Sequence, residues 1–192
     1  MADPVRLFIS AGPELEPERE AIGRALTEFP INLGWEIKRT PRPDEPVNLE
    51  AVRHCDAFVL LFASDIRAPV GWEWIAARRA GRVRLAFLKE GTLQTPAGRE
   101  FARELRADWR TFRTGYDLAK QLMEALSAHI LERWREFGLS AQEREVLSAY
   151  VARLRGEQTE EGPEAEPAGA GEGGVILAPG RDVPQGGVVV GG

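Results

Sequence analysis

Eight residues, Asp56-Ala57-Phe58-Val59-Leu60-Leu61-Phe62-Ala63, restrict the fold of this chain more than any other stretch. A strand covered on one face alternates apolar and polar residues. A run that stays apolar over seven positions, bounded by an acid and a loop, suits a strand covered on both faces, as in a parallel sheet. Val5-Arg6-Leu7-Phe8-Ile9-Ser10 and Val83-Arg84-Leu85-Ala86-Phe87-Leu88 read as two further strands of this buried kind. Leu33 to Arg39 alternates and supplies another strand, and Trp109-Arg110-Thr111-Phe112 is a short fifth one.

Helical spacing fills the intervals. Ala11-Gly12-Pro13 ends the first strand and starts a helix whose Leu15, Ile22, Leu26 and Phe29 share a face, with Glu18 and Arg19 toward the other. Glu14 and Glu16 in its first turn suit the helix dipole. Three prolines within residues 41–46 exclude regular structure there. Asn48 can cap a short helix reaching Cys55, and Thr95-Pro96 can open another. The stretch from Ser64 to Val70, with Pro69, reads as a loop before a helix from about Gly71 to Ala80, which Gly81 ends. A long helix is expected over 116–137, with Leu118, Leu122, Leu126, Ile130 and Trp134 about four apart. Ser140 and Glu143 form a capping box for a last helix carrying Val146, Leu147, Tyr150, Val151 and Leu154. Strands alternating with helices predict a doubly wound, mostly parallel five-stranded α/β sheet with helices on both faces.

Composition changes at the C-terminus. Residues 157–192 hold seven acidic residues, one basic residue and ten glycines, while the remaining 156 residues hold 24 basic and 23 acidic ones. The expected organisation is an α/β domain over 1–138, an accessory helix over 139–156, an acidic Gly/Pro/Ala-rich linker over 157–174 and a β-prone tail over 175–192. Val175-Ile176-Leu177 and Val188-Val189-Val190 could dock on a partner's sheet. The near-neutral body argues against nucleic acid as a partner. The N-terminus lacks a signal-peptide stretch, and no run is long enough to span a bilayer, so a cytoplasmic protein is expected. Cys55, His54 and His129 make no zinc pattern, so no metal site is expected. Cys55, beside an apolar strand, reads as a buried, inert thiol.

The candidate chemistry lies in Gly71-Trp72-Glu73-Trp74-Ile75-Ala76-Ala77-Arg78-Arg79-Ala80. This phrase sets a carboxylate at a helix start beyond the C-terminal end of the central strand, the edge where open α/β sheets hold ligands. Glu73 reads either as a catalyst or as a surface acid stabilised by the helix dipole. Ser10, ending the first strand, can line the same crevice. Asp65 and Arg67, in the loop before Glu73, are either ligand contacts or solvated loop charges. Trp72 and Trp74 fall on different sides of a helix, so at most one of them can stack on a ligand's ring.

The ordered set of these features resembles the Toll/interleukin-1 receptor (TIR)-like branch of flavodoxin-like domains, in its bacterial form. The resemblance runs from Arg6 to Leu88. It is carried by Leu7-Phe8-Ile9-Ser10 before an acidic, Arg-containing helix start, by Asp56 before its apolar strand, and by Glu73 one helical turn before Ala77. Ala11-Gly12-Pro13 departs from the residue that often follows Phe-Ile-Ser in that family.

The resemblance implies a defence or signalling domain. Catalytic members use the equivalent of Glu73 to cleave the nicotinamide–ribose bond of NAD, which is a substrate and not a bound cofactor. Activity would be switched on by self-assembly, with Ser10 in the crevice and Trp72 or Trp74 beside the base. The alternative is a non-catalytic adaptor that recruits another TIR-like or effector protein through the 40–47 loop, the terminal helices or the tail. A third reading, a nucleoside deoxyribosyltransferase-like enzyme, needs a second acid, for which Asp65 is the candidate.

Overall fold

The computed structural model describes residues 4–42, 44–105 and 107–160, with side chains through Gly156. Five strands, β1 (Val5–Ser10), β2 (Trp35–Arg39), β3 (Ala57–Phe62), β4 (Val83–Lys89) and β5 (Trp109–Phe112), form one sheet in the order β2-β1-β3-β4-β5. All four pairings are parallel. The helices are α1 (Glu16–Thr27), α2 (Leu49–His54), α3 (Ala68–Arg79), α4 (Pro96–Glu104), α5 (Gly115–Glu132) and α6 (Ala141–Glu160). The expected doubly wound α/β architecture is the one observed.

Successive side chains of a strand point to opposite faces, and the two cores divide accordingly. Leu7, Ile9, Val59, Leu61, Phe87 and Phe112 face α1, α5 and α6, where they meet Ile22, Leu26, Leu122, Ile130, Leu147 and Leu154. Phe8, Phe58, Leu60 and Ala86 face α2 and α3, where they meet Val52, Val70, Trp74 and Ala77. Every residue of β3 is buried, as its unbroken apolar run requires.

The caps read from the sequence are present. Asn48 Oδ1 accepts from the Ala51 amide at 2.9 Å, and Thr95 Oγ1 accepts from the Gly98 amide at 2.9 Å. Ser140 and Glu143 bond each other reciprocally before α6. Gly81, at φ +64°, takes the left-handed turn that ends α3.

Several expectations need correction. α3 begins at Ala68, not Gly71, because Pro69 lies in its first turn, where a missing N–H costs nothing. Residues 13–15 form a separate 3-10 turn before α1. Glu18 and Arg19 do not point to solvent: Glu18 is buried at the sheet edge and Arg19 is largely covered beside it. Glu18 takes an ion pair from Lys89 at 2.7 Å, at the end of β4, and Arg19 pairs with Glu16 at 2.8 Å. α5 ends at Glu132, and a turn with Gly138 at φ +65° leads to α6. Val146 lies off the buried stripe of α6. That helix continues to Glu160, past the expected boundary at 156. The rest of the 157–174 linker and the 175–192 tail lie outside the described residues, and so does their docking role. Among the described residues no helix is long and apolar enough to cross a membrane.

Candidate functional site

Strand order reverses direction between β1 and β3, since the chain winds outward to β2 on one side and to β4 and β5 on the other. In open α/β sheets the carboxyl ends of the strands at this switch point flank the ligand crevice. Three side chains of this chain converge there. Ser10 is the last residue of β1 and has the parity of Phe8, so it faces α3. Thr40 follows β2, and its amide donates to the Ile9 carbonyl at 3.1 Å, which continues the β1–β2 ladder past the Ile9–Arg39 pair. Glu73 comes from α3. Val70, Glu73, Trp74 and Ala77 occupy i, i+3, i+4 and i+7 of that helix, and all four are buried.

Glu73 therefore sits on the inner stripe of α3, six residues into the helix, and is 0% exposed. The reading of a dipole-stabilised surface acid is wrong, because the helix starts earlier than the proline suggested. Ser10 Oγ donates to Glu73 Oε2 at 2.6 Å, and Thr40 Oγ1 donates to the same oxygen at 2.7 Å. The Ala11 amide donates to Thr40 Oγ1 at 3.1 Å. Glu73 Oε1 is buried and has no protein partner. Burial pushes the Glu73 carboxyl above the ordinary carboxylate range; the bonds from Ser10 and Thr40 and the charge of Arg19 oppose that rise.

Basic groups surround this edge. The Arg19 side chain is 10% exposed, donates to the Gly12 carbonyl at 3.3 Å and pairs with Glu16. Arg39, ending β2, shares that carboxylate at 3.1 Å. Arg67, exposed at the N-cap position of α3, approaches Glu14 to 3.9 Å, linking the β1–α1 and β3–α3 loops. Gly12 lies beneath Glu14, whose carboxylate would meet an added Cβ.

The other residues singled out in the sequence lie elsewhere. Trp74 is core: it packs edge-on against Phe58 with centroids 6.1 Å apart, and the Arg84 guanidinium lies 5.5 Å from its ring. It offers no face to a ligand. Trp72 is 59% exposed on another side of α3. It borders a groove of about 400 Å³ with Leu49, Arg53, Ile75 and Arg79, apart from Glu73. The side-chain bonds to the carboxylate come from Ser10 and Thr40, and not from either tryptophan. Asp65 accepts from the Thr95 hydroxyl at 2.7 Å and the Ile66 amide at 2.8 Å, so it joins the β3–α3 loop to the start of α4. Its side chain is thereby occupied away from Glu73.

Thr40 and Arg19 are the members of the site that the sequence reading passed over. The signal for Thr40 was its place directly after an alternating strand and before Pro41. That for Arg19 was its nearness to the end of β1. Cys55 is buried, its thiol pushed up to about 11 chiefly by burial, as an inert thiol should be. Among the described residues no group of three His, Cys, Asp or Glu side chains could hold a metal ion.

No family model matches this chain. No curated protein matches it either. Among solved structures it is similar to the CMP N-glycosidase BcmB of Clostridium botulinum, at 19% identity and a TM-score of 0.42, over 60% of this chain and 97% of that one. A likeness of that size bears on neither activity nor substrate.

Proposed function

We propose that this chain cleaves an N-glycosidic bond, with NAD as the substrate and the nicotinamide–ribose bond as the one broken. The observation that carries this reading is the Glu73 carboxylate at the switch point, held through one oxygen by Ser10 and Thr40 and left unpaired at the other. A buried acceptor without a protein partner is costly, and at the ligand edge of such a sheet it is an atom to which a substrate's hydroxyl would donate. Nicotinamide departs by taking the C1′–N bonding pair onto its pyridinium nitrogen, which makes it neutral, so no general acid is required. The oxocarbenium-like charge left on the ribose is what a carboxylate stabilises. Water then adds to C1′ and gives up a proton, yielding ADP-ribose, nicotinamide and H⁺.

The basic side chains suit such a substrate. Arg19, Arg39 and Arg67 meet Glu14 and Glu16 in the resting chain, and a pyrophosphate would compete with those carboxylates for them. Glu73 has no surface open to solvent, so NAD reaches it only when the loops around it part. Self-assembly through the 40–47 loop would supply that opening.

The test is nicotinamide release from NAD at high protein concentration, with Glu73→Gln beside the parent chain. Release that depends on Glu73 is expected; equal release from the variant sinks the reading. Complete burial of Glu73 favours a second reading, a non-catalytic adaptor that binds another TIR-like or effector protein. That reading expects no nicotinamide at any protein concentration.

A further inference from the structure

We propose that Thr40 is a positioning residue that fixes which oxygen of Glu73 faces the substrate; the inference rests on the glycosidase reading above. The argument is one of counting hydrogens. A threonine hydroxyl has one hydrogen and can also accept. The Ala11 amide can only donate, and it donates to Thr40 Oγ1 at 3.1 Å. The single Thr40 hydrogen is thereby left for Glu73 Oε2, 2.7 Å away. Ser10 Oγ places its own hydrogen on the same oxygen from 2.6 Å. Two donors on Oε2 and none on Oε1 make the carboxylate asymmetric. Oε2 is a fixed anchor, and Oε1 is the oxygen free to meet a ribose hydroxyl or the charge that develops at C1′.

Thr40 is held by backbone and not by a loop's chance conformation. Its amide bonds the Ile9 carbonyl at 3.1 Å, and Pro41 confines the preceding residue to extended backbone. The hydroxyl is thus delivered by strand pairing. Among the described residues, α1 contributes Arg19 as the charged group acting on Glu73, while β1 and the end of β2 contribute only the neutral hydroxyls of Ser10 and Thr40. Removing one of two donors leaves the carboxylate less anchored and its ionised form less favoured.

The experiment uses the full-length chain with Thr40→Val, which keeps the side chain's shape, and Thr40→Ser, which keeps its hydroxyl. Two readouts are taken: NAD turnover as a function of pH, and a carbon-13 NMR titration of the Glu73 carboxyl, identified by its loss in Glu73→Gln. Thr40→Val is expected to lower kcat by about 10²-fold with little change in KM, the cost typical of a misplaced reacting group. Its acid limb and the Glu73 midpoint should both move to higher pH, and Thr40→Ser should restore all three. If the valine chain does not fold, Thr40→Ala removes the hydroxyl without setting a methyl against the Ala11 amide and gives the same readouts. A parent chain that releases no nicotinamide fails the glycosidase reading alone, and the titration still decides whether Thr40 holds Glu73. An unmoved Glu73 midpoint with kcat at the parent value in the hydroxyl-free variant overturns the proposal.

Discussion

A carboxylate that loses its water on folding is driven toward its neutral form unless partners replace that water. Glu73 regains two hydroxyl donors on one oxygen and none on the other, and its carboxyl remains above the ordinary range. In the unfolded chain this glutamate ionises in the ordinary range, near ~4.3. As pH rises past that value the folded chain still holds the proton that the unfolded chain has released, so stability falls with pH. Once pH exceeds the folded value the loss is complete and stays constant. Glu73→Gln is neutral throughout and its carbonyl can accept both hydroxyls. Thermal denaturation is therefore expected to show the variant gaining on the parent as pH rises from 4 to 8. The gain is read as a rise in the variant's midpoint temperature relative to the parent's between the two ends of that range. The same substitution removes the proposed activity, the trade expected where a strained group is kept for function. A variant whose advantage is the same at both ends of that range would show that Glu73 does not titrate differently on folding.

On α3 two tryptophans two residues apart have unlike roles, because the helix turns one inward and the other out. Trp74 lies on the stripe with Val70 and Ala77 and packs on Phe58; Trp72 lies across the helix with Ile75. Trp74→Ala is expected to cost about 3–5 kcal/mol, as for other large core aromatics. Trp72→Ala should stay within about 0.5 kcal/mol by urea denaturation, as for surface positions. Equal losses would contradict the stripe. This helix also shows where the sequence was legible and where it was not. The five strands could be read because runs such as Ala57–Phe62 and Val5–Ser10 admit little else. The caps at Asn48, Thr95 and Ser140 were local in sequence and equally plain. The start of α3 was misread because Pro69 looks like a breaker unless it falls in a first turn. Had Val70 been counted as helical, its spacing to Trp74 and Ala77 would have placed Glu73 inside the protein. Thr40 was harder to see, since its bond to Glu73 depends on the register of β1 against β2, which no local pattern states.

At the scale of the whole fold, one sheet separates two cores that do different work. The face toward α1, α5 and α6 carries the larger one, and α6 joins it through Leu147 and Leu154, packing chiefly on α5. Tyr150 reaches Phe29 beyond α1, edge-on at 6.1 Å. The face toward α2 and α3 carries Glu73 and its hydroxyl partners. Leu147 belongs to the core on one face, and the stripe of α3 that carries Glu73 packs on the other; neither hydroxyl bonded to Glu73 comes from α5 or α6. Changes at sites without common partners add within about 0.5 kcal/mol. Leu147→Ala alone is expected to cost about 2–5 kcal/mol, since it opens a fully buried position. Combined with Glu73→Gln at pH 8, the double variant should show the sum of the two single changes. Thermal denaturation of the four chains measures this directly. Leu147→Ala should also leave the Glu73 carboxyl titrating where it does in the parent chain, because nothing that touches the carboxylate has moved. A coupling above about 1 kcal/mol, or a moved titration, would mean that the two faces form one network and that α6 reaches the site through the sheet.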